Sequence, residues 1–505
     1  MKKIILILSV FALLATSCSL NEKRPNSLDT NTAITNAKDA ASFANYLNVY
    51  LRAYSAGSYI YYPEIAADFF NPSVDYGNRI GTQYRWDWSA GTSFNAYWSP
   101  AYYAINHACF LIENIENLDK TNYSAEDLAT LDKCLGLAYF SKAYFGLKLL
   151  NYYCEPYNTA NLDKYGIMLV DLHRPTGDIA AYPGRSTLQE SYQWVKENLA
   201  QAEHYLATVP GAVASTQITI DAVRAFQARL ALEMQDWDLA IAKSTALVDG
   251  GKYPLCETQE EMTALWTNDS GKECIVQMYA DLAANSLPSS NDPGYFGYTN
   301  STGRYTPDWI INKWVATMYS ATDLRWTTWF KPGVTVQYAI ASGTVTLMNK
   351  FPGNMSLQTT GATQSSHLQK IKLFRIAEQY LIAAEAYAML GANIPACTYL
   401  DKLLNKRDAS HMSLSLTGDD LLNFIKEERA KELIGEGFRW NDLKRWGKGM
   451  QRPDAQNTSI VHTGGSNGPA LNLNISPTDH RWAGPIPSSE LSANPQIRNQ
   501  QNPGY

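Results

Sequence analysis

The stretch Ile425 to Gly447, IKEERAKELIGEGFRWNDLKRWG, constrains this chain more than any other segment. It reads as a charged helix in which Glu428, Glu432 and Glu436 recur every four residues. Like charges at that spacing destabilise a helix, so the stripe needs cations folded onto it. Arg429, Arg439, Lys444 and Arg445 are the nearby candidates. Gly435 and Gly437 stop the helix and supply the permissive backbone of a tight return. Trp440 and Trp446 offer large apolar faces beneath the charges. A helix, a double-glycine turn and a basic aromatic return predict a cross-paired framework.

This segment resembles the signature of the SusD/RagB family of nutrient-binding lipoproteins. The family pattern is met by Glu428, Arg429, Glu432, Leu433, Glu436, Gly437, Arg439, Asp442, Leu443, Arg445, Trp446 and Gly447. Phe374 to Gly391, FRIAEQYLIAAEAYAMLG, resembles a second signature helix. The closing segment PIPSSELSANPQIRNQQNPGY resembles the family's C-terminal form through Pro485, Pro487, Glu490, Asn494, Pro495, Gln501, Asn502 and Pro503. The resemblance implies a mostly all-α, SusD-like fold of tetratricopeptide-like helix pairs, with long ligand-binding loops and minor β hairpins. It implies one domain over residues 18–505. It also implies a non-catalytic protein that holds an oligomeric nutrient over a SusC-like TonB-dependent outer-membrane barrel. An oligosaccharide is the expected ligand, with an oligopeptide as the alternative. Pro307, Asp323 and Arg325 sit where the family has a proline and an Asp-x-Arg pair, and are read as structural.

The N-terminus has the form of an export signal. Lys2 and Lys3 precede an apolar run from Ile4 to Ala15, too short to span a bilayer as a mature helix. Ala15-Thr16-Ser17-Cys18 resembles a lipobox, so residues 1–17 are expected to be removed and Cys18 lipidated. Several acyl chains suffice for stable anchoring. The expected place is the outer membrane, facing the exterior; Asn21-Glu22-Lys23 is a weak export cue and leaves an inward-facing anchor as the alternative.

Composition narrows the function classes. A net charge of −6 on 505 residues gives no support to nucleic-acid binding. The 32 tyrosines and 13 tryptophans suit wet recognition surfaces, although many must pack a helical core. Besides Cys18, Cys109, Cys134, Cys154, Cys256, Cys274 and Cys397 form no Cys-x-x-Cys pair. Cys109, Cys134 and Cys397 read as buried thiols, and a bridge somewhere among the six stays open. No zinc-protease, nucleophile-elbow or phosphate-loop motif occurs, and no cofactor or metal is expected. Arginines around Glu428, Glu432 and Glu436 would keep all three ionised, which disqualifies them as glycosidase acids.

Helical periodicity predicts helices at Asp39–Ala53, Trp98–Leu118, Ala125–Asn151, Leu188–Leu206, Ile220–Met234, Leu239–Val248, Phe374–Leu390, Ile394–Lys406 and Leu421–Leu433. Shifted by 156 positions, Ala228 falls on Ala384, Ala240 on Ala396 and Leu247 on Leu403. Small residues there let antiparallel helices approach closely, the logic of helical repeats. Ala138–Asn151 with Leu188–Leu206 is a further candidate pair.

Tyr59 to Asn95 and Ser286 to Ser366 resist the helical reading, being rich in Gly, Pro, Asn, Ser and aromatics. Loops of that length are expected to carry function. Gly343 to Lys350 suits one strand of a hairpin. In an extended Tyr84-Arg85-Trp86-Asp87-Trp88, the rings of Tyr84, Trp86 and Trp88 would share one face. Such a row suits a sugar, whose C–H faces stack, and an extended peptide equally. Asp68, Asp75, Asn78 and Arg79 are the nearest polar partners, and Tyr295, Tyr298, Asn300 and Arg304 are expected to complete the cleft.

Overall fold

The computed structural model describes residues 33–91, 96–290, 303–359, 361, 365–452, 454–462 and 474–505. Its long helices are α1 (Ala37–Tyr54), α2 (Trp98–Glu116), α3 (Ala125–Tyr153), α4 (Leu188–Tyr205), α5 (Ile220–Glu233), α6 (Trp237–Asp249), α7 (Ile376–Met389), α8 (Asn393–Leu404) and α9 (Gly418–Leu433). The short α10 (Arg439–Arg445) follows α9. Local chemistry sets several starts. Ser124 and Asp127 close a capping box on α3, and Thr187 and Glu190 do the same on α4.

Consecutive helices pack as pairs: α2 with α3, α3 with α4, α5 with α6, and α7 with α8. Close approach has visible causes. A Cβ at Gly146 of α3 would lie 2.6 Å from the Trp194 ring of α4, so only glycine allows this crossing. The repeat-related Ala228, Ala240, Ala384 and Ala396 are all fully buried, and α6 also packs on α7 to stack one pair on the next. All six cysteines from Cys109 to Cys397 are buried free thiols.

One predicted boundary is wrong for a clear reason. Phe374 and Arg375 do not start α7; they end strand β6 (Lys372–Arg375), which pairs antiparallel with β2 (Cys274–Gln277). That strand places Arg375 under the charged helix. Glu432 on α9 is fully buried and meets three guanidinium groups, Arg325 at 3.1 Å, Arg375 at 3.0 Å and Arg407 at 3.0 Å. Glu428 pairs with Arg325, and Glu436 with Arg375 and Lys350. Burial alone would raise the Glu432 carboxyl; Arg407, Arg375 and Arg325 more than offset it and hold it far below the ordinary range.

The cations expected from the basic return therefore do not neutralise this stripe. Helix α10 lies on another face of α9, where Arg429 donates to Asp442 at 2.8 Å. Arg445 bridges Asp442 and Glu385, Arg439 grips Asp68 through two bonds of 2.7 Å, and Lys444 donates to the carbonyl of Asn151 at 2.8 Å. Glu64 accepts from the backbone N–H of Gly435, Gly437 and Phe438 at 3.1, 2.7 and 3.0 Å, which fixes the double-glycine turn. Gly435 and Gly437 both have positive φ, +77° and +84°.

Candidate functional site

The two long stretches that lack helical periodicity meet in space, although each carries short helices: Ser58–Ala66 and Gly81–Arg85 in the first, Lys313–Thr317 and Leu324–Trp329 in the second. Strand β1 (Phe70–Pro72) pairs antiparallel with β3 (Trp309–Ile311), so the first loop is stitched to the second. Ser73 N–H donates to the Asp308 carbonyl at 2.8 Å, and Val74 N–H to the Ile460 carbonyl at 2.9 Å. The hairpin β4 (Phe330–Gln337) and β5 (Ser342–Met348) flanks them, with Tyr305 bridged to Val336. The predicted strand at 343–350 is β5.

Above this stitch the Arg79 guanidinium clamps both Asp308 carboxylate oxygens and donates to the Asp75 carbonyl at 3.1 Å. Burial pushes the Asp308 carboxyl above its ordinary value, with Arg79 opposing. Arg85 donates to Asn78 at 2.6 Å and to Asp87 at 2.5 Å. Asp75, Asn78, Arg79 and Asp87 are exposed and form a polar rim. Arg304, at the described end of the second loop, is also exposed. Beneath lie Tyr84 and Tyr76, each against the buried Trp309 at ring-centroid separations of 5.3 and 5.7 Å. Tyr338 closes one side by donating to the Pro307 carbonyl at 2.7 Å.

The expected row of Tyr84, Trp86 and Trp88 is not an open platform. The segment is not extended: Gly81–Arg85 is a helical turn and Trp86 has a left-handed φ of +59°. The two-residue alternation therefore fails. The three residues are 0%, 1% and 4% exposed. Trp86 donates to the Ala66 carbonyl at 2.7 Å and packs on Trp88 and Trp482, while Trp88 donates to the Tyr505 hydroxyl at 2.9 Å. Tyr84 lies under Arg452, 3.5 Å from its guanidinium carbon. They are floor and core, and their packing explains how a bulky residue holds a positive φ. Asp68 is likewise spent on Arg439. Tyr295, Tyr298, Asn300 and Cys18 lie outside the described residues.

The residues missed from the sequence are Asp308, Trp309 and Tyr338. The run Trp309-Ile310-Ile311 carried the strand signal, large and β-branched, and Asp308 directly precedes it. Chemically, the rim offers donors and acceptors in several directions. Glu432 is sealed from solvent and held far below the ordinary carboxyl range by Arg407, Arg375 and Arg325, which is poor equipment for a general acid. Among the described residues no three His, Cys, Asp or Glu side chains are grouped to hold a metal, and no helix is long and apolar enough to cross a membrane.

Stacked helix pairs carrying two loops joined by β1–β3 define a helical-repeat fold. The family model for the SusD family matches residues 294–505, and a second model, described as "Starch-binding associating with outer membrane", matches residues 20–232. The chain belongs to the SusD/RagB family. SusD-like protein P38 of Formosa agariphila is 23% identical over 305 residues, which cover 53% of this chain and 59% of that protein's length. A SusD superfamily protein from Bacteroides thetaiotaomicron superposes with a TM-score of 0.77 at 23% identity, over 93% of this chain and 100% of that one. A SusD-like carbohydrate binding protein from Bacteroides vulgatus gives 0.73 at 21%, over 93% and 98%.

Proposed function

We propose that this protein captures an oligosaccharide at the cell surface and hands it to a SusC-like TonB-dependent barrel of the outer membrane. One observation carries the reading: β1–β3 pairing and the Arg79–Asp308 clamp join two distant loops into a single polar rim over an aromatic floor. Sugar hydroxyls need both donors and acceptors, and Asp75, Asn78, Arg79, Asp87 and Arg304 supply both. Tyr295 and Tyr298, which precede Arg304 in the sequence, are the candidates for stacking on sugar faces. The carbohydrate binding of the Bacteroides vulgatus protein that shares the fold favours a glycan over a peptide.

In this reading residues 1–17 are removed, Cys18 carries the acyl anchor, and the helix pairs provide the rigid body behind the loops. The test is made in cells. Protease shaving of intact cells should remove the protein, and affinity isolation from solubilised membranes should bring a large β-barrel with it. Protection from protease together with isolation free of any barrel would defeat delivery.

A further inference from the structure

A second groove lies away from the joined loops. It runs between the N-terminal half of α2, the segment Met168–Val170 with Tyr182–Pro183, and the helix Ser488–Ala493 near the C-terminus, and encloses about 380 Å³. That is within the roughly 300–1,000 Å³ of small-molecule sites. Its walls are aromatic: Trp98, Tyr102, Tyr103 and Tyr182. Trp98 and Tyr102 are fixed, with ring centroids 5.1 Å apart and the Tyr102 hydroxyl accepting from Met168 N–H at 2.9 Å. Tyr103 instead stands 62% exposed at the mouth, although it is a large ring on a helix with a well-buried opposite face.

The polar groups are few and convergent. Glu490 accepts from Ser99 Oγ at 3.3 Å through one oxygen, and no cation pairs with it among the described residues. Asn106 meets His173 Nδ1 through Oδ1 at 3.1 Å, which leaves its Nδ2 to donate. Among the described residues the lining contains this one carboxylate and no lysine or arginine, which selects against anionic ligands. Beyond Tyr103 the aromatic surface continues along α1 and α2 through His107 and Tyr50, whose rings are 5.2 Å apart.

We infer that this groove is a second carbohydrate site, which takes a neutral oligosaccharide end with Tyr103 stacked on one sugar face and Glu490 and Asn106 on its hydroxyls. The inference rests on the glycan-binding reading above, but on different residues. Calorimetry and native mass spectrometry of the full chain in detergent test it, after a glycan array has chosen the neutral oligosaccharide. Wild type should bind two equivalents. Tyr103→Ala and Glu490→Ala should each weaken one site about tenfold or more, and Arg79→Ala should weaken the other several-fold, with melting temperature unchanged for Tyr103→Ala. A single equivalent, lost in Arg79→Ala and untouched in Tyr103→Ala and Glu490→Ala, overturns the groove while the loop reading stands. Absence of binding to every neutral glycan overturns both. Oligogalacturonate or a peptide ladder held through Tyr103 in place of neutral glycan overturns the ligand class.

Discussion

Arg79 and Asp308, 229 positions apart in the chain, clamp one another through two hydrogen bonds just above the β1–β3 stitch. Asp308 is almost buried, whereas the Arg79 side chain is 49% exposed. Half in water, the pair contributes about 1 kcal/mol or less to stability. Its removal should instead loosen the first loop against the second. Arg79→Ala is expected to lower oligosaccharide affinity several-fold with a melting temperature near that of wild type, measured by calorimetry beside a thermal scan. A large drop in melting temperature with affinity intact would make Arg79 a purely structural residue.

Glu432 is the opposite case. It is buried among Arg325, Arg375 and Arg407, and it is the carboxylate that all three share, each having a further partner in Glu428, Glu436 or Glu273. Glu432→Ala leaves uncompensated buried charge and is expected to cost roughly 3–5 kcal/mol. Urea unfolding of the two proteins, fitted with a common slope, measures this.

Acid should dismantle the same network. Burial raises Glu432, Glu436 and Glu385, but neighbouring guanidinium groups overcome it and leave all three below the ordinary 4.5. A carboxyl depressed in the folded state adds stability above its unfolded pKa and loses it as pH falls toward the folded value. Stability should therefore decline progressively below about pH 4.5. In Glu432→Gln that acid limb should be shallower, since one depressed carboxylate is gone. An acid limb identical in slope to wild type would detach Glu432 from acid unfolding.

Trp86 and Trp88 pack against each other and, with Trp482, form the floor of the first loop. Truncation of a buried large aromatic typically costs about 3–5 kcal/mol. Trp86→Ala should unfold at distinctly lower denaturant than wild type. If it melts normally and loses only ligand, Trp86 faces the ligand after all.

Glu64→Ala should also be harmful, because the buried N–H groups of Gly435 and Gly437 and the part-buried one of Phe438 lose their acceptor. Each orphaned group costs about 1–3 kcal/mol. Hydrogen exchange localised at the α9–α10 turn is the measurement, and unchanged protection there would refute the role given to Glu64.

The helices were legible because their periodicity is local. Ala228 and Ala384 announced the stacked pairs, and both are buried in them. Asp323 and Arg325, read as structural by resemblance, are both buried and paired with each other at 2.7 Å. The partners of Glu432 were not legible: Arg375 and Arg407 lie 57 and 25 positions away, and nothing local in the sequence encodes that convergence. The aromatic row misled for a related reason. Alternation over Tyr84 to Trp88 requires an extended segment, whereas the left-handed Trp86 is stabilised by Trp482 and the Ala66 carbonyl, contacts invisible from the segment alone. Asp75 and Arg79 are on the exposed rim, but the partner Asp308 had to be found in space.

The measurement closest to the central claim is a glycan array run beside a peptide mixture, with wild type and Arg79→Ala under identical conditions. The account predicts capture of a defined oligosaccharide by wild type, recovered chemically intact, and a weakened signal for Arg79→Ala. Cleaved glycan, or capture of peptides with no glycan retained, would contradict it.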